Sequence, residues 1–189
     1  MLINMRKHKY LLGALLIIIG FTHFAFSQKP ATSDVVYVPT NQKIVDAMLE
    51  LAKVSKNDTV YDLGCGDGRI VTTAAKKFGA SGIGIEINSE LIKLANENAR
   101  QAGVAGQVKF IEADLFKTKF SRATVVMLYL SPSVNLRLRP RLLKQLKPGT
   151  RIVSHDFGMG EWQPEQTIKI DEATLYLWVV PTKKPTFKN

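Results

Sequence analysis

An α/β fold is the architecture this sequence predicts: a doubly wound, mostly parallel seven-stranded sheet with an antiparallel C-terminal strand pair. Three observations point to it. Apolar runs alternate along the chain with stretches whose apolar residues recur at helical spacing, the pattern of strands and helices wound around a parallel sheet. Val60-Tyr61-Asp62-Leu63 leads into glycines at positions 64, 66 and 68, and a helical pattern starts at Arg69. That order, strand then sharp turn then helix, builds a ligand site at the carboxyl end of a parallel sheet. Finally, Gln166 to Ile170 and Ala173 to Val180 read as an antiparallel pair. With 189 residues, 46% hydrophobic and 22% charged, the chain can bury the core of one ordinary domain, and its composition is not that of a disordered protein.

The elements follow in order. Residues 1–27 read as a signal peptide or membrane anchor. Arg6, Lys7 and Lys9 precede an apolar run from Leu11 to Phe21, and Ala25 and Ser27 have the small-residue spacing favoured by signal peptidase. The run is short for a spanning helix of about 20 residues, and a cleaved peptide and a retained anchor both stand. Either predicts an exported or membrane-associated location by the positive-inside rule, in tension with a cofactor made in the cytosol. Residues 28–39 read as a linker, 40–181 as the folded domain and 182–189 as a basic tail.

Within the domain, Thr40 is expected to cap a helix whose stripe is Ile44, Val45, Met48, Leu49 and Ala52. The helix after the glycine turn carries Ile70, Val71, Ala74, Ala75 and Phe78. Ser81 to Glu86 is a second buried strand, and Asn88 or Ser89 caps a helix with Leu91, Ile92, Leu94, Ala95 and Ala99 inward. Val108 to Ile111 forms a third strand, Thr124 to Leu130 a fourth and Thr150 to Ser154 a fifth. Between the last two, Val134 to Leu146 is helical, with Leu136, Leu138, Leu142, Leu143 and Leu146 apolar.

The net charge is +10, and the three cations of the N-terminal segment leave +7 spread along the rest. Such an excess is read first as solvated lysines. A single cysteine, Cys65, excludes an intrachain disulfide and a cysteine metal cluster. No metal is expected. Cys65 itself reads as a small residue tolerated inside a tight turn.

Acidic residues fall at the ends of three successive strands: Asp62 on the first, Glu86 on the second, Asp114 after the third. In an open parallel sheet those ends share one crevice. The glycines do not match a dinucleotide fingerprint, because the third comes one residue early, at Gly68, and Asp62 and Asp67 would repel a pyrophosphate. The same charge suits a cationic sulfonium with an α-amino group. Glu86 stands twenty residues beyond Gly66, where a carboxylate can accept ribose hydroxyls. Asp114 can accept an adenine amine, with Leu115 or Phe116 against the ring.

Asp62 to Arg69 resembles motif I of the class I S-adenosylmethionine-dependent methyltransferases. A closer resemblance lies in Tyr37-Val38-Pro39-Thr40, Asp62 to Ile70, Asp114-Leu115, Tyr129-Leu130-Ser131-Pro132 and Trp162-Gln163-Pro164. These pieces are similar to the small lysine methyltransferase family of the mitochondrial ATP synthase c-subunit and adenine nucleotide translocase enzymes, over roughly Val36 to Val180. That family also carries a hydrophobic N-terminal segment. The resemblance implies S-adenosylmethionine as cofactor, held by Asp62, Gly64, Gly66, Asp67, Gly68, Glu86, Asp114 and Leu115, and a protein lysine as acceptor.

Chemistry is expected at the later strand ends. Tyr129, at the end of the fourth strand, can pack on the target's methylene groups or hold its amine. His155, in Ser154-His155-Asp156-Phe157, can accept a proton or form a structural polar pair with Asp156. Trp162 can cap a substrate channel or anchor a loop. The Asn/Asp-Pro-Pro-aromatic motif of amino-methylating DNA enzymes is absent, and no nucleic acid partner is expected. Three other readings stand beside lysine methylation: a small-molecule or lipid acceptor, a non-catalytic S-adenosylmethionine-binding module, and an NAD-dependent oxidoreductase, the last disfavoured by the glycine spacing.

Overall fold

The structure, a computed structural model, describes residues 37–187. The predicted export segment, residues 1–27, and the first part of the linker lie outside the described residues. Within the described residues seven strands alternate with four helices: α1 (Gln42–Leu51), β1 (Thr59–Leu63), α2 (Arg69–Phe78), β2 (Ser81–Glu86), α3 (Ser89–Gln101), β3 (Val108–Glu112), β4 (Val125–Leu128), α4 (Pro132–Gln145), β5 (Arg151–His155), β6 (Gln166–Ile170) and β7 (Ala173–Val179). They form one sheet in the order β3-β2-β1-β4-β5-β7-β6. β1 lies between β2 and β4, parallel to both, so the chain reverses its direction of winding beside β1. Only β7 runs antiparallel, against β5 and β6. The expected doubly wound sheet and antiparallel C-terminal pair are both present.

Each face of the sheet buries its own core. On one face, Val60, Val125, Met127 and Val153 meet the apolar stripes of α1 (Val45, Met48, Leu49), α2 (Val71, Ala74) and α3 (Ala95, Ala99). On the other, Leu63, Ile85, Val126, Leu128 and Ile152 meet Leu138 and Leu142 of α4, with Trp178. Strands covered on both faces read as nearly continuous apolar runs, which is why β4 is apolar throughout.

Four local expectations are corrected. The N-cap of α1 is Asn41, whose side chain accepts from the Lys43 amide at 2.9 Å; Thr40 is buried one residue earlier. Leu94 is 44% exposed, because α3 packs through Ala95 and Ala99 beside β3, the edge strand, where the sheet covers only a narrow stripe. Leu136 is 43% exposed, and the buried face of α4 instead carries Asn135 and Arg139. Loop carbonyls accept from that pair: Asn135 Nδ2 donates to Phe157 O at 3.1 Å and Arg139 Nη1 to Met159 O at 2.9 Å, while Asn135 Oδ1 and Arg139 Nε are buried without a partner. Last, β4 ends at Leu128 and α4 begins at Pro132, so Tyr129 to Ser131 form a short loop at the sheet's carboxyl edge.

Candidate functional site

The carboxyl ends of β1 to β4 open into a cavity of about 530 Å³. β1 contributes Asp62 with Gly64 and Cys65, β2 contributes Glu86 with Ile87 and Asn88, β3 contributes Asp114 to Phe116, and β4 contributes Tyr129 to Ser131. The three acidic strand ends named from the sequence thus share one crevice, with the end of β4 facing them across the reversal beside β1. One contributor was missed. Tyr37 to Pro39, read as the end of a linker, and Thr40, read as a helix cap, also line the cavity.

The glycine turn is tied to β2 by backbone bonds, Gly64 N and Cys65 N both donating to Ile85 O at 2.8 and 3.0 Å. Gly64, Gly66 and Gly68 all have positive φ, at 88, 53 and 75°, a region that costs any residue with a Cβ. Close approach adds a second reason, and it differs by position. A Cβ on Gly66 would lie 2.3 Å from the Tyr37 ring, and one on Gly68 would lie 2.4 Å from Phe110 and 2.9 Å from Ala95. Neither Gly66 nor Gly68 lines the cavity. Gly68 is small for helix–sheet packing, whereas Gly64 reaches the cavity itself.

Glu86 is organised by backbone. Its Oε2 accepts from Gly66 N at 3.1 Å, and its Oε1 accepts from Ile87 N at 2.9 Å and Asn88 N at 3.0 Å. The carboxylate therefore locks the glycine turn to the start of α3 while facing the cavity. Asp114 accepts from Phe116 N at 2.8 Å, which sets the loop that presents Leu115 and Phe116. The Arg137 guanidinium lies 4.1 Å over the Phe116 ring.

Two aspartates at the turn differ sharply. Asp62 is 2% exposed; burial, reinforced by the charges of Glu86 and Asp67, pushes its carboxyl up to about 8. Burial would also raise Asp67, but Arg69 grips it with Nε on Oδ1 at 2.9 Å and Nη2 on Oδ2 at 2.6 Å, holding it below the ordinary value. Arg69 Nη1 also donates to Thr40 O at 2.7 Å. Cys65 is buried, and burial pushes its thiol up, as an inert small residue in a turn requires. Its Sγ fills the space that a Cβ on Gly84 would need.

The two candidate chemical groups separate. Tyr129 lines the cavity, with Phe157 beside it at a ring distance of 6.3 Å. His155 does not line it. The imidazole is 6% exposed and stacks behind Tyr129 at 4.0 Å. Its Nε2 lies 3.3 Å from Asp156, its Nδ1 is buried without a partner, and burial lowers its pKa against the pull of Asp156. His155 supports the Tyr129 ring from behind; it is not placed to take a proton from a ligand in the cavity. Trp162 is a packing anchor: it is buried, its carbonyl accepts from Trp178 Nε1 at 2.8 Å, and it does not reach the cavity. Among the described residues no group of three or more His, Cys, Asp and Glu can hold a metal ion.

The cavity's donor set fits a cationic nucleoside. The charged neighbours that bear on buried Asp62 are both acidic, so a positive ligand relieves that repulsion, and Glu86 and Asp114 supply acceptors for hydroxyl and amino groups. A doubly wound sheet with an acidic glycine turn and carboxylates on the next two strand ends defines a class I S-adenosylmethionine-dependent methyltransferase. Comparison with known proteins makes the class specific. Residues 62–166 match the ANTKMT methyltransferase domain, and the chain belongs to that family.

A protein-lysine N-methyltransferase of Saccharolobus islandicus is 48% identical over 155 residues, 79% of this chain and 96% of that one. The human lysine N-methyltransferase of the ATP synthase c-subunit is 33% identical over 129 residues, 68% of this chain and 54% of that protein. The match thus spans nearly all of the Saccharolobus relative and about half of the human one. Among solved structures, an RNA methyltransferase from Salinibacter ruber in complex with S-adenosyl-L-homocysteine superposes with a TM-score of 0.78 at 55% identity, covering 78% of this chain and 97% of that one.

Proposed function

We propose that the protein N-methylates lysine side chains of a protein substrate. The observation that carries this reading is the 48% identity, over almost its full length, to a relative named for protein-lysine methylation. When bound, S-adenosylmethionine supplies a methyl group activated on its sulfonium. The chain's own contribution is then placement, since an in-line displacement is accelerated chiefly by holding the two partners in register. Asp62, Glu86, Asp114 and Leu115 hold the donor, with Gly64 admitting it close to the backbone. Tyr129, braced by His155, forms the wall along which the acceptor amine enters. The amine must lose its proton before transfer, and His155, stacked behind Tyr129 and outside the cavity lining, is not placed to take it.

One observation favours a second reading: the relative from Salinibacter ruber is named an RNA methyltransferase. One experiment separates the two. The purified protein is incubated with radiolabelled S-adenosylmethionine and with soluble and membrane fractions, each with and without ribonuclease. Label in a protein band, mapped to lysine by mass spectrometry and insensitive to ribonuclease, supports the first reading; label lost with ribonuclease supports the second.

For location we propose an exported or membrane-associated protein, from the basic and apolar character of Met1 to Phe26. No helix of the described residues is long and apolar enough to cross a membrane. Fractionation of cells expressing the full chain tests this, and recovery of all of it in the cytosolic fraction would overturn it.

A further inference from the structure

The cavity has a wall that the acidic strand ends do not account for. Tyr37, Val38, Pro39 and Thr40 line it consecutively, although they precede β1 by some twenty residues and belong to no strand or helix. Tyr37 and Val38 are 39% and 56% exposed, and Tyr37 belongs to neither apolar core. Its position therefore has no explanation in core packing. What holds it is polar and local. The Tyr37 hydroxyl is electrostatically coupled to Asp67 and Arg69, which raise and lower its pKa respectively, and its ring lies where a Cβ of Gly66 would be, 2.3 Å away. Three residues on, Thr40 O accepts from Arg69 Nη1 at 2.7 Å, and Asn41 then caps α1, whose inner face is fixed in the core.

We propose that Tyr37 is a positioning residue for the methyl donor, the Tyr37–Thr40 strap being clasped by Asp67 and Arg69 over the glycine-turn side of the cavity. The inference rests on the assignment of this cavity to the donor. It gives Asp67 and Arg69 a joint role, because as a closed ion pair they present one face to the strap and another to the cavity, which both of them line. It also gives Gly66 a role distinct from that of Gly64. Gly66 has no side chain because an aromatic ring occupies the space above it, and the strap can approach the turn only for that reason.

The test uses the full chain and S-adenosylhomocysteine as probe, with affinity by calorimetry, the urea midpoint without ligand, and KM for the donor against KM for the acceptor. Tyr37→Phe, which removes the hydroxyl alone, should weaken binding about threefold to tenfold. Tyr37→Ala should weaken it further and raise the donor KM, leaving the acceptor KM and the urea midpoint unchanged. Gly66→Ala should cost less affinity in the Tyr37→Ala background than in the wild type, because the added methyl no longer meets the ring. Unchanged affinity in Tyr37→Ala, a loss that tracks the urea midpoint, or equal Gly66→Ala effects in both backgrounds would overturn the proposal. Failure of the wild type to bind the probe would instead remove the donor assignment on which it rests.

Discussion

Raising the pH from 5 to 8 should destabilise this protein through one buried carboxyl group, and replacing Asp62 by Asn should remove the effect. Asp62 is 2% exposed and its pKa is pushed up to about 8, first by burial and then by the negative charges of Glu86 and Asp67. In the unfolded chain an aspartate titrates near ~3.9. Between those two values the folded state holds a proton that the unfolded state has released, so stability falls as pH rises through the window. At about 1.4 kcal/mol per unit, the three units from pH 5 to pH 8 correspond to a loss of about 4 kcal/mol. Above pH 8 the loss levels off.

Other groups titrate in the same range, and the informative quantity is the difference between wild type and Asp62→Asn. Urea unfolding of both at pH 5, 6, 7 and 8 should show the variant gaining on the wild type at each step. Parallel stability curves would refute the reasoning. The same group couples to the cofactor. A cationic donor favours the Asp62 carboxylate, so uptake should release a proton at pH 7, seen as a binding heat that depends on the buffer's ionisation enthalpy. S-adenosylhomocysteine, which lacks the sulfonium charge, should release fewer protons. Proton uptake on binding would contradict the assigned charge.

Three further outcomes are expected. Glu86→Ala should lower stability by about 1–3 kcal/mol as well as cofactor affinity, because three backbone amides lose their acceptor; calorimetry and urea unfolding measure the two losses separately, and a loss of neither contradicts the geometry. Gly68→Ala should destabilise by about 1–3 kcal/mol, since its methyl would meet Phe110 and Ala95 at a positive φ, and Phe110→Ala should relieve part of that cost in a double-mutant cycle. Cys65 should resist thiol reagents at pH 8 in the folded protein and react once unfolded; rapid labelling without denaturant would mean that the turn opens.

Where the site was legible in the sequence, the information was periodic or local. Apolar runs fixed in length by a sheet covered on both faces betray its strands, and a turn that needs positive φ at alternate positions writes itself as Gly64, Gly66 and Gly68. Once strand order follows from alternation, Asp62, Glu86 and Asp114 must meet, because parallel strands end at one edge. The misread residues all depend on contacts between distant segments. Leu94 and Leu136 lie on helical stripes as apolar as their neighbours, yet α3 meets only the sheet edge and α4 buries Asn135 and Arg139 against loop carbonyls. His155 and Asp156 read in sequence either as a proton acceptor with its partner or as a structural polar pair, and the fold decides for the second, with the imidazole stacked behind Tyr129. The strap is the clearest case. Nothing in Tyr37-Val38-Pro39-Thr40 signals a fold-back onto a turn thirty residues later, and Arg69 looks like the unremarked first residue of a helix. Only the pairing of Arg69 with both Asp67 and the Thr40 carbonyl makes the three glycines unequal: one opens to the cavity, one receives an aromatic ring, and one lets a helix approach its sheet.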